Sequence, residues 1–330
     1  MDSPWGQLIS AFGFTMNLVA TVLNGLGIWC IFGSTPNSMR NYSILLLQTT
    51  VADFLASGGA VYSNVRLVAE GGKRLGAIII PEGPCKYQLS SRSCQIGYCM
   101  MLGSNLHSLL SLPMSFFYRW WVISHPAPKK YKIFLALLAT APMTLVEQFT
   151  CNIAFEGSLS DGNKMYEKRF NASVEYPSSQ VLFVTHTILR YPIMHTIVYM
   201  AIISPIVYYL VYYFRAKINK ALNLLTISEA TKRQHRKLVK MLVLQAIVPV
   251  AAAGTLPLFF LSQQGVVTDP IWQFPCFLPL NTVSLLQPII MLWAVEPYRK
   301  ATIGMFWKPI KYRARTKNST IVHSTIAILQ

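Results

Sequence analysis

Seven long apolar runs separated by short polar stretches organise the chain. They cover residues 8–32, 43–68, 93–123, 133–152, 191–214, 238–261 and 271–295. A helix needs about 20 mostly apolar residues to cross the hydrocarbon core of a bilayer. Runs of this length are not the ~10-residue alternating segments of a membrane barrel, so the pattern predicts helices. Pro113, Pro142, Pro205, Pro249, Pro257, Pro279 and Pro288 fall inside them. Membrane helices tolerate such prolines because neighbouring groups take up the freed backbone carbonyls. The second run is the least apolar, holding Asp53 and two glycines, Gly58 and Gly59.

Composition agrees with the pattern. Of 330 residues, 53% are hydrophobic and 12% charged, with a mean hydropathy of +0.40. Soluble domains carry roughly twice that charged share. The net charge of +17 does not point to nucleic acid, because the bases lie in short loops between the runs. They lie there unevenly. With the N-terminus outside, the inner side holds 20 of the 29 lysines and arginines: Arg40, Arg119, Lys129, Lys130 and Lys132, eight between Arg215 and Lys240, and seven from Arg299 to Lys317. Only Glu229 and Glu296 accompany them. Excess Lys and Arg mark cytoplasmic loops. The expected fold class is therefore an all-α membrane protein: a seven-transmembrane helix bundle, N-terminus outside and C-terminus inside. No Lys or Arg precedes Arg40, so the first run reads as a retained helix, not a signal peptide. One receptor-like domain is expected over 1–296 and a cytoplasmic tail over 297–330. In that tail Ile303, Phe306, Trp307 and Ile310, flanked by Arg299, Lys300 and Lys308, suggest a short amphipathic helix on the inner membrane surface.

Asn171-Ala172-Ser173 is a glycosylation triplet in the longest outer loop. Its support is weak, since Asn41-Tyr42-Ser43 and Asn318-Ser319-Thr320 match as well and lie inside. Of the six cysteines, Cys30 and Cys99 fall within helices, whereas Cys85, Cys94, Cys151 and Cys276 lie on or near the outer face. Four cysteines there allow three pairings.

The chain shows no HExxH, GxGD, GxSxG or Walker signature, and the seventh run has no lysine for a Schiff base. No enzyme activity, cofactor or metal is expected. Ionisable residues inside a membrane are functional suspects. Asp53, midway along the second run, reads either as a conformational switch or sodium site or as a structural hydrogen-bonder, with Asn24 and Asn281 as candidate partners. His107 and His195 are ligand or pH-sensing candidates set against plain interhelical hydrogen bonding. Glu147 and Arg190, near outer helix ends, meet a charged ligand or snorkel to the interface. In 231–240, TKRQHRKLVK, the residues Arg233, Arg236, Lys237 and Lys240 share one helical face. That face is either positive-inside anchoring or a docking surface for an intracellular partner.

Several stretches resemble the nematode seven-transmembrane chemoreceptors, most of all the serpentine receptor class delta group. They are Thr35-Pro36-Asn37-Ser38-Met39-Arg40 with Ile44-Leu45-Leu46-Leu47, Gly83-Pro84-Cys85-Lys86-Tyr87, and Leu106-His107-Ser108-Leu109 with Phe117-Tyr118-Arg119. The run from Ser228-Glu229-Ala230-Thr231-Lys232-Arg233 through Leu244-Gln245-Ala246 to Pro249, and Glu296-Pro297-Tyr298-Arg299, complete the set. The resemblance implies a G-protein-coupled receptor fold, a role in smell or taste, an unknown small-molecule ligand and a heterotrimeric G protein. It also implies a multi-pass protein of the plasma membrane, with the ciliary membrane of a sensory neuron as the expected place. By likeness to the wider rhodopsin-like class, Arg119 stands at the arginine of the third-helix motif, here Tyr118-Arg119-Trp120, and Asp53 at the second-helix aspartate. The same likeness makes Cys94 the disulfide cysteine of the third helix, paired with Cys151 or Cys85. From their inner positions Arg119, Arg233, Arg236 and Lys237 are the expected G-protein contacts, and from their place in or near the apolar runs His107, Glu147, Arg190, His195 and Asn281 are the ligand candidates. The class motifs CWxP and NPxxY are missing, with only Gln287-Pro288 in the seventh run. A ligand-gated cation channel of the odorant-receptor type is a competitor that the charge bias opposes. A transporter is a second competitor, and the chain shows no repeat to support it.

Overall fold

The computed structural model describes residues 4–69, 77–87, 91–126, 128–154, 183–185, 193–224, 229–252, 255, 257, 261 and 277–305. Most of them are helical. The helices are α1 (Pro4–Ser34), α2 (Arg40–Ser63), α3 (Ser91–Ser124), α4 (Lys130–Leu138), α5 (Ala141–Ala154), α6 (Ile193–Leu224), α7 (Glu229–Ala252), α8 (Leu278–Ala294) and α9 (Glu296–Met305). The described parts of the seven apolar runs fall mainly on α1, α2, α3, the α4–α5 pair, α6, α7 and α8. By length and composition three described stretches suffice to cross a membrane, namely Gly6–Ser34, Arg40–Ser63 and Lys130–Ile153, with α8 and α9 as a further pair bent by 97°.

The helices are built inside out relative to a soluble bundle. On α1 the buried face carries Gly13, Asn17, Ala20, Asn24 and Gly27, while Leu8, Phe12, Val19, Val22 and Trp29 point outward and are exposed. A helix in water would reverse that arrangement. The same holds for Phe134, Leu135, Leu145 and Phe149 on α4 and α5, and for Ile202, Ile206, Tyr209 and Tyr212 on α6. Lipid is the solvent that suits such a surface, and the small inward residues let the backbones approach. Gly59 shows how closely: a Cβ there would lie 2.6 Å from the Gly97 carbonyl oxygen across the α2–α3 seam.

Two interior prolines explain two interhelical bonds. Pro288 has no N–H to offer the carbonyl of Ser284 four residues earlier. The Asn24 amide of α1 donates to that oxygen instead, at 3.0 Å. Pro249 likewise leaves the Gln245 carbonyl free, and Gln287 Nε2 of α8 donates to it at 3.0 Å. In each case an amide from another helix satisfies a backbone group that would otherwise be buried and unpaired, a deficit worth about 1–3 kcal/mol. Pro142 acts differently. It withholds its N–H from Leu138, and the fourth run breaks there into α4 and α5.

The expected boundaries need three corrections. The second run does not stay helical to residue 68. It ends at Ser63, and Asn64 takes the left-handed conformation at φ 33°, which an asparagine tolerates. Its last residues form a strand, so the fold is not purely helical. Strands β1 (Val65–Ala69), β2 (Ala77–Pro81) and β3 (Phe183–Thr185) make an antiparallel sheet, with Val65 opposite Pro81 and Ile79 opposite both Leu67 and Phe183. Branched residues in Val65-Arg66-Leu67-Val68 and Ile78-Ile79-Ile80 favour a half-buried strand as readily as a helix end. Finally, α6 runs ten residues beyond the apolar stretch, to Leu224.

Contacts sort the helix termini into two ends. At one end the sheet residue Ile79 packs with Cys85, Cys94, Tyr98, Cys151 and Phe277, and Cys85 is disulfide-bonded to Cys94. At the other, Thr35 bonds Tyr298 at 2.9 Å, Asn41 donates to the Pro128 carbonyl, and Lys217 sits 4.9 Å from the Trp120 ring. The two ends are therefore a disulfide end and a basic end.

Candidate functional site

At the disulfide end, α5 and α6 bring together a carboxylate and an imidazole. Glu147 Oε2 lies 3.6 Å from His195 Nδ1. Glu147 is 1% exposed, and the His195 ring stacks on Tyr199 at 5.5 Å. A carboxylate so deeply buried needs polar neighbours, and the His195 imidazole is one of them. The expectation that Glu147 merely snorkels to an interface does not fit, since the side chain points inward.

The bundle's middle holds the other polar candidates. His107 is tied on both sides. Thr144 Oγ1, 2.9 Å from Nδ1, itself donates to the Thr140 carbonyl at 3.4 Å. On the other side Nε2 lies 2.6 Å from Gln48 Nε2. Both ring nitrogens are thus used between helices, and neither is left for a ligand in this conformation. Asp53 bonds Ser108 of α3, not Asn24 or Asn281. Asn24 spends its amide on Ala20 and Ser284. Oδ1 of Asp53, of Asn24 and of Asn281 has no hydrogen-bond partner among the described residues. Ser284 Oγ reaches Asn105 Oδ1 at 3.5 Å, so polar groups of α1, α2, α3 and α8 form one interior belt.

The basic end is held differently. Arg119, 7% exposed, lays its guanidinium 3.7 Å from the Tyr42 ring centroid, and Tyr42 in turn stacks against Tyr118 at 6.1 Å. Arg119 Nε and Nη2 have no hydrogen-bond partner among the described residues. Nearby, burial, with the Arg119 charge adding to it, holds the His235 imidazole below its ordinary value. Arg233, Arg236, Lys237 and Lys240 of α7 are exposed around it. Lys300, 2.8 Å away, holds the Glu296 carboxyl below the usual range, with the Arg299 and Lys237 charges contributing.

The comparisons with known proteins agree with this architecture. The family described as "Serpentine type 7TM GPCR chemoreceptor Srd" matches residues 9–304. The chain belongs to this family. Among its Caenorhabditis elegans relatives, serpentine receptor class delta-1 is 27% identical over 93% of this chain and 81% of its own. Serpentine receptor class delta-19 is 28% identical over 97% and 94%. Serpentine receptor class delta-18 is 25% identical over 92% and 90%. As a member of the serpentine chemoreceptor class, the protein is a membrane protein of a receptor family whose members are not enzymes.

Within this Srd chain the structure joins Glu147 to His195, and Asp53 and Asn24 to one polar belt, but separates both from Arg119. Of the two partners expected for Cys94, it gives Cys85. Cys151 instead lies beside Cys99, Sγ to Sγ at 2.8 Å. Arg190, Asn171, Cys276 and the tail residues Phe306, Trp307, Lys308 and Ile310 lie outside the described residues. Sequence reasoning missed Gln48, Thr144, Ser108, Tyr42 and Tyr199. Their signal was available for the first three as polar residues inside apolar runs.

Proposed function

We propose that this protein is a chemosensory G-protein-coupled receptor with seven membrane spans, its disulfide end outside and its basic end in the cytoplasm. The observation that carries the reading is the segregation of charge. Exposed Arg233, Arg236, Lys237 and Lys240 gather at one end, and the disulfide and the buried Glu147–His195 pair sit at the other. Positive-inside bias and disulfide chemistry agree on which end is which. The receptor domain covers 1–296. The tail from 297 begins with α9, which lies along the inner membrane surface: Tyr298 and Thr302 face α1, and Ile303 and Met305 face lipid. The plasma membrane, in a sensory cilium, is the expected location, with Asn171 as the glycosylated residue. The charge bias disfavours the channel reading, and the chain shows no repeat of the transporter kind.

The external small molecule binds at the disulfide end between α5 and α6, at Glu147 and His195, with Arg190 and Asn281 as further candidates. Binding favours one bundle conformation over another, by as much as its affinities for the two differ. Asp53 and Asn24, in the polar belt, are the switch between the ends. In the described conformation Arg119 is buried on Tyr42, so coupling to a heterotrimeric G protein requires that the basic end open and release it. Arg119, Arg233, Arg236 and Lys237 then form the contact. A calcium-response screen of the expressed protein against odorants tests this. A response that Glu147→Gln removes at unchanged surface level is expected. An ion current independent of any G protein would overturn the reading.

A further inference from the structure

The α3–α5 seam is held by a ladder of close contacts. Gln95 bonds the Asn152 carbonyl, Cys99 meets Cys151, Gly103 packs under Gln148, and His107 bonds Thr144. The positions on α3 step by four, so all lie on one face. Gly103 sets the spacing: a Cβ there would collide with Gln148 Cγ, so only a residue without one allows this approach. One turn away, the seam presses two thiols together. Cys99 is 1% and Cys151 is 3% exposed, and both belong to the same buried cluster as the Cys85–Cys94 disulfide.

We propose that Cys99 and Cys151 are joined by a second disulfide in the mature protein, a staple between the third and fourth membrane spans. Their sulfurs lie 2.8 Å apart, and a bond of about 2.05 Å requires them to close by less than about 1 Å. The two thiols lose two protons and two electrons as the Sγ–Sγ bond forms. The acceptor is a protein or small-molecule disulfide of the secretory pathway, which leaves as two thiols by exchange through a mixed disulfide. The exchange happens during insertion, before the seam closes over both sulfurs. The staple rests on the orientation proposed above, because this end must meet an oxidising compartment. Its consequence lies at the ligand site. Glu147 is one helical turn before Cys151, so the link fixes the carboxylate relative to α3.

Differential alkylation of the full-length protein, expressed in cultured cells and denatured with N-ethylmaleimide, tests the staple. Peptides containing Cys99 and Cys151 are expected to be alkylated at background level before reduction and fully after it, and to appear linked to each other in the non-reduced digest. Cys151→Ser should leave Cys99 alkylated without reduction. Alkylation of both in a sample where Cys85 and Cys94 remain linked overturns the staple but not the orientation. So does a link from either residue to another cysteine. Free thiols at all four positions overturn the orientation and the staple together.

Discussion

The two ends of the bundle are fastened by different means. At the disulfide end a covalent link, a three-stranded sheet and a buried carboxylate–imidazole pair tie α2, α3, α5 and α6. At the basic end the fastening is a guanidinium resting on an aromatic ring and hydroxyl bonds from Tyr298 and Thr302 to α1. Among the described residues, Nε and Nη2 of Arg119 have no hydrogen-bond partner there. A covalent tie resists rearrangement, whereas a stacking contact worth about 1–2 kcal/mol is exchanged readily. The contrast suits a receptor. Under the proposed function, the disulfide end would hold its groups still for a ligand and the basic end would move to report it.

The comparison breaks first, and most severely, at the carboxylate–imidazole pair. His195→Ala removes the imidazole that lies 3.6 Å from a carboxylate only 1% exposed. A loss of about 3 kcal/mol is expected, read as a lower melting midpoint in detergent, with His195→Gln recovering part of it. An unchanged midpoint would mean that the pair does not fasten this end.

The seam between α3 and α5 comes next. Gly103→Val should cost about 1–3 kcal/mol, because the new side chain meets Gln148 and pushes the helices apart. The same substitution at Gly33, whose Cβ position has nothing within 4 Å, is the control and should leave the midpoint almost unmoved.

How much of this was legible in the chain follows from what each feature depends on. Periodicity and length expose a helix wherever the apolar run is long, so the helices were readable. The end of α2 was not, because Val65-Arg66-Leu67-Val68 is apolar enough for either a helix or a strand, and only pairing with Ile78-Ile79-Ile80 decides. Glu147 and His195 stood out as ionisable residues in apolar runs, but their meeting depends on how α5 packs on α6. His107 stood out equally and proved to be an interhelical link, because Gln48 and Thr144 happen to flank it. Arg119 was visible, yet its burial on Tyr42 was not, since the partner comes from another helix.

A smaller effect tests the proline rule. Asn24→Ala removes the donor that serves the Ser284 carbonyl freed by Pro288, and a loss of about 1–2 kcal/mol is expected. Replacing Pro288 by Ala as well restores an N–H for that carbonyl, so the double variant should regain part of the loss. If the two costs simply add, the couplet is not the reason for either residue.

The smallest stability change falls at the basic end, and its signature lies in signalling. Tyr42→Phe keeps the ring under Arg119 and should change little. Tyr42→Ala removes the stack, costs about 1 kcal/mol and should raise ligand-independent signalling. Equal signalling from the two variants would show that the stack does not hold the inner end closed.

All of this depends on which end faces the cell's exterior. Epitope tags at the two termini, stained on intact and on permeabilised cells, measure that directly. The account predicts that the N-terminal tag stains on intact cells and the C-terminal tag only after permeabilisation. Surface staining of the C-terminal tag on intact cells would contradict it and would place the exposed Arg233, Arg236 and Lys237 where no G protein can reach them.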